Sequence, residues 1–110
     1  MSIDTIVEKE KFMNSQEFLA NVAVGNVVQI VWKGAMFDPD AVLKPGEASN
    51  GLSKVYTCGF VAFIGDKKDF ITVGIDSMFE AGNKEPSFRS LITIPVATIE
   101  SAEIYGKVSQ

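Results

Sequence analysis

The chain has 110 residues, which is the length of one domain, and 46% of them are hydrophobic, enough to build one core. Its net charge of −4 excludes a general electrostatic attraction to nucleic acid or anionic lipid, so any nucleic-acid site has to be a local patch. There is no histidine and a single cysteine, Cys58, which removes the usual proton shuttle, the commonest metal ligand and any disulfide within the chain.

The N-terminus, Met-Ser-Ile-Asp-Thr-Ile-Val-Glu, has no hydrophobic signal core, and no stretch approaches the ~18 apolar residues of a membrane span. The expectation is a soluble, cytoplasmic protein. Phe12 and Phe18, with Met13 and Leu19 beside them, carry helical spacing. Asn14 or Ser15 is a fitting cap, and the spacing predicts a short helix over 14–21 with Phe18, Leu19 and Val22 on the domain. Asp4 is a candidate cap for an earlier turn.

After Gly25 the period becomes two. Val28, Ile30 and Trp32 fall on one face and Val27, Gln29 and Val31 on the other, until Lys33-Gly34 ends the strand. Further strands are predicted over Val55–Ile64, Phe70–Ile75, Phe88–Ile94 and Thr98–Tyr105. The breaks fall at Gly65–Asp69, in the Ala81–Pro86 loop and at Pro95. The segment 35–53 is too rich in turn residues to be a core strand and reads as a long loop. One helix and five short strands predict an all-β fold: a strongly bent antiparallel barrel of SH3-like type with a short N-terminal helix. The strands over Val55–Ile64 and Phe70–Ile75 are apolar on both faces, more than one barrel interior can hide. That surplus predicts a homo-oligomer joined strand to strand, a ring if a head-to-tail contact closes.

Chemistry is sparse. Cys58 sits mid-strand with no adjacent cation, the setting of a buried packing residue rather than a reactive thiol. Asp38 and Asp40 flank Pro39 as turn-forming acids without the rest of a calcium-loop pattern. Trp32 reads as a lid on the core. Asp66, Lys67, Lys68 and Asp69 form a charged turn, and Lys67 and Lys68 are the best local cationic point in an acidic chain. Phe70 beside them is placed to stack on a base. Arg89 and Lys84 are candidates for a basic rim. There is no phosphate loop, no Cys/His metal set and no nucleophile–base pair, so neither an enzyme nor a cofactor is expected.

The order of elements and several residue patterns resemble the Sm/LSm (Hfq-related) family of small-barrel RNA-binding proteins. The patterns are Phe18-Leu19, Val24-Gly25, and Val28-x-Ile30-x-Trp32-Lys33-Gly34. They continue with Gly59-x-Val61 followed by Asp66, then Ile71-x-Val73, then the stretch from Ile94 to Ile99. The similarity spans about residues 14–105, with 35–53 as an insertion. It implies an N-terminal segment over 1–22, an Sm-like barrel over 23–106 and a tail over 107–110. It further implies a ring-forming, non-catalytic protein that binds single-stranded RNA or DNA and acts in RNA or DNA processing. Two family features differ. The asparagine after the loop aspartate gives way to Asp69 and Phe70, and the arginine-glycine of the second signature to Pro95 and Val96. The implied binding residues are therefore Asp66, Lys67, Lys68, Phe70 and Thr98, with a structural or protein-interaction module as the alternative.

Overall fold

The structure, a computed structural model, describes residues 12–34, 42, 44–46 and 53–108. Asp4, Asp38, Asp40 and most of the 35–53 loop lie outside the described residues. No helix among the described residues is long and apolar enough to cross a membrane.

Helix α1 covers Ser15–Asn21. Asn14 caps it, its side-chain oxygen accepting from the Glu17 N–H at 2.9 Å. Seven residues are too few for a helix to stand alone in water. Burial holds it: Phe18 is fully buried, and Leu19 and Val22 pack against the core beside it. The turn after it is pinned by Asn26, whose side chain accepts from the Ala23 N–H (2.6 Å) and donates to the Gly106 carbonyl (3.3 Å). Gly25 there has φ 92°, the left-handed region open to glycine.

Five strands follow: β1 (Asn26–Gly34), β2 (Ser53–Ile64), β3 (Phe70–Met78), β4 (Ser87–Pro95) and β5 (Ile99–Lys107). A 3-10 turn, Val96–Thr98, joins the last two. All pairings are antiparallel, in the order β4-β3-β2-β1-β5. Hydrogen bonding does not close this sheet into a barrel: β4 and β5 are its two edges. β2 divides its length between partners, pairing with β1 from Ser53 to Phe60 and with β3 from Phe60 to Ile64. Gly59 sits at the handover. A Cβ there would run into the Gly74 carbonyl and lie 2.7 Å from Val73 Cγ1, so only glycine lets β2 cross β3 this closely.

The inner face collects Val28, Ile30, Val61, Ile71, Val73, Ile94, Ile99 and Ala102 under Phe18. Val28, Ile30 and Trp32 share this face as their spacing predicts. Val31, on the other side of β1, is buried as well. Trp32 packs on the core and donates from Nε1 to Thr57 Oγ1 at 2.9 Å. Of the two strands expected to carry surplus apolar surface, β2 exposes Tyr56 and Phe63, whereas β3 is buried on both faces from Ile71 to Gly74 and exposes Ile75 beyond them; Leu91 on β4 and Tyr105 on β5 are exposed as well.

Candidate nucleic-acid interface

The sequence Gly65-Asp66-Lys67-Lys68-Asp69 forms the tight turn between β2 and β3. The Lys68 N–H donates to the Gly65 carbonyl (2.8 Å) and the Gly65 N–H to the Phe70 carbonyl (2.9 Å). Lys68 takes φ 55° to close the turn. Asp66, Lys67, Lys68 and Asp69 are all exposed. Neither lysine forms an ion pair among the described residues.

The β2–β3 turn meets the link between β4 and β5. Phe70 lies opposite Pro95 in the β3–β4 ladder, and the Val96 N–H donates to the Asp69 carbonyl at 2.9 Å. Thr98 donates its hydroxyl to the Pro95 carbonyl at 2.6 Å and so shapes the 3-10 turn. The structure thus brings Asp66, Lys67, Lys68, Phe70 and Thr98 to one end of the sheet. Lys84 and Arg89 do not join them. They lie toward the opposite end of the β3–β4 hairpin, where Arg89 is held by Asp76 at 2.7 Å.

Phe63 is the addition that sequence spacing misses. Its ring stacks on Phe70, centroids 5.8 Å apart and planes 29° from parallel, and about half of the residue is exposed. A register shift between Val61 and Phe63 turns it outward. The apolar run from Val55 to Ile64 gives no sign of such a break. The turn carries two exposed lysines and joins the two strands that hold the stacked rings, residue types that meet a phosphate and a base.

Cys58 is exposed, not buried as its position in an apolar run suggested. It lies opposite Gln29 on the outer face, and Gln29 Nε2 points to its sulfur at 3.6 Å. Its neighbours Gly59 and Thr57 face the other way, so strand alternation overrides the hydrophobicity of the run. Glu103 continues this row across β1. A hydrogen bond to Glu103, followed by desolvation, raises the Tyr105 phenol above its ordinary pKa. A separate cleft of about 620 Å³ is lined by Val24, Ala62, Phe79, Phe88, Lys84 and Lys107, with no residue of the β2–β3 turn.

Compared with protein-family models, with curated proteins and with solved structures, the chain matches none.

Proposed function

We propose that the chain is a non-catalytic, Sm-like nucleic-acid-binding protein that takes single-stranded RNA, or DNA, at the end of the sheet where the β2–β3 turn meets the 3-10 turn. In this reading the bent sheet acts as a small barrel, and the protein works as a homo-oligomer in RNA or DNA processing. The observation that carries the reading is the bond from the Val96 N–H to the Asp69 carbonyl. It ties the lysine turn to the β4–β5 link, and in this reading Lys67, Lys68, Phe63 and Phe70 meet the ligand together. The lysines meet phosphates while the half-exposed Phe63 stacks on a base, a contact worth about 1–3 kcal/mol. Thr98 shapes the floor through its own backbone bond. With a net charge of −4 the rest of the surface adds no attraction, so one site is weak and repetition across copies supplies avidity.

The test is titration of short labelled oligo-U, oligo-A and a mixed DNA strand at low and moderate salt. Binding that weakens as salt rises, and is lost when Lys67 and Lys68 are both changed to Glu, supports the reading. Absence of binding at every salt concentration assigns the domain to structural or protein-interaction work instead.

A further inference from the structure

The two edges of the sheet are not equivalent. Along β5 the middle is occupied: the Met13 N–H donates to the Ala102 carbonyl (2.8 Å) and the Ala102 N–H to the Met13 carbonyl (2.9 Å). β5 also breaks register twice against β1 and carries Glu100, Glu103 and Lys107. Capping, bulges and charge are the usual protections of an edge strand. β4 has fewer of them: no segment caps it and its register against β3 is unbroken. Among the described residues nothing pairs with its outer side. Its one charged residue, Arg89, is ion-paired with Asp76 of β3 at 2.7 Å. Leu91, on one face, is 59% exposed and Ile92, on the other, 38%.

We propose that β4 pairs with β4 of a second copy of this chain, antiparallel, about a two-fold axis at Ile92. The register follows from the ladder. The bond from Val96 to Asp69 makes that step a hydrogen-bonded one. Such steps alternate, so Ile94 opposite Ile71 and Ile92 opposite Val73 direct their backbone groups to β3. Leu91, Thr93 and Pro95 direct theirs outward. Pro95 therefore costs no bond to β3, as expected of proline on an edge. With the axis at Ile92, Leu91 faces Thr93 of the partner subunit, and each such pair exchanges both of its bonds. With the axis at Thr93, the Leu91 carbonyl would face the partner's Pro95, which has no N–H to give. With the axis at Ile92 the same missing donor moves out to face the Arg89 carbonyl, beyond Ser90, whose φ of 57° already ends the regular edge, and both Leu91–Thr93 pairs stay complete.

The charges agree with self-pairing. Arg89 falls opposite the partner's Pro95, so no like charges meet across the seam. Ile92 meets the partner's Ile92 at a non-hydrogen-bonded step, where side chains approach most closely. The contact is isologous and closes on two copies. The head-to-tail ring implied by the family resemblance would instead require β5 as the acceptor, and Met13 would have to leave Ala102. This inference stands whether or not the chain binds nucleic acid.

The experiment is sedimentation equilibrium of the full chain over a wide concentration range, paired with disulfide trapping. The expected particle is twice 11.9 kDa. Leu91→Lys, at an exposed position, is expected to raise the concentration at half-dimerisation about tenfold or more while leaving the circular dichroism unchanged. In a Cys58→Ser background, Ile92→Cys places two thiols across the axis at a separation a disulfide spans. It is expected to crosslink into a dimer on mild oxidation, whereas Thr93→Cys, whose neighbour is the partner's Leu91, is not. A monomer at all concentrations, a particle of more than two copies, or crosslinking through Thr93→Cys but not Ile92→Cys would overturn the proposal.

Discussion

Single atoms decide several features of this domain. Gly59 is one, because a methyl group there meets the backbone of β3. Gly59→Ala is expected to destabilise the fold by about 1–3 kcal/mol through overpacking. Gly106→Ala, where nothing lies within 4 Å, should change stability by less than about 0.5 kcal/mol. Urea unfolding of the two variants makes the comparison. Tyr105 gives a second prediction. Its hydrogen bond to Glu103 raises the phenol pKa in the folded chain, with desolvation and the Glu103 charge adding to the shift. The stability this bond contributes is present below about pH 10, the unfolded value. It is lost as pH rises from there through the folded value, because the unfolded chain gives up its proton first. The thermal midpoint should therefore fall more steeply above pH 10 in the native chain than in Tyr105→Phe.

At the scale of elements, α1 depends on its cap and its one buried ring. Asn14→Ala is expected to cost about 1 kcal/mol and Phe18→Ala about 3–5 kcal/mol, both read from denaturant midpoints. These two residues also show why the helix was legible from sequence: a capping side chain followed by an apolar residue is a local signal. The strands were legible for the same reason, since Val28, Ile30 and Trp32 alternate where one face is buried. The ends of β3 were not. Asp76 and Ser77 are polar, and the strand runs on to Met78 because β4 pairs with it, a non-local cause. Cys58 and Phe63 were misplaced or missed because both lie in an apolar run, and only the register of neighbouring strands sets the face each presents. The lysine turn was visible as a cluster of charge. Its junction with the 3-10 turn was not, because the bond from Val96 to Asp69 joins residues 27 positions apart in sequence. The capping of β5 by Met13 has no sequence signature either.

For the whole molecule, charge and apolar surface pull in different directions. A net charge of −4 disfavours polyanions, while the exposed Leu91, Ile92, Tyr56 and Phe63 favour contact with something. In the two proposals these surfaces take different partners: Leu91 and Ile92 a second copy of the chain, Phe63 and the two lysines a nucleic acid. A site with two phosphate-contacting lysines should show a salt slope of about −1.4 in log K against log salt on single strands, and the doubly substituted Lys67→Glu, Lys68→Glu chain should lose it. In the proposed function, ligand meets the end of the sheet where the two turns join. Amide chemical-shift mapping with short oligo-U tests it most directly. Shifts concentrated at Gly65–Phe70 and Val96–Thr98 are predicted, while an unchanged spectrum, or shifts confined to the Phe79–Phe88 loop and Lys107, would contradict it.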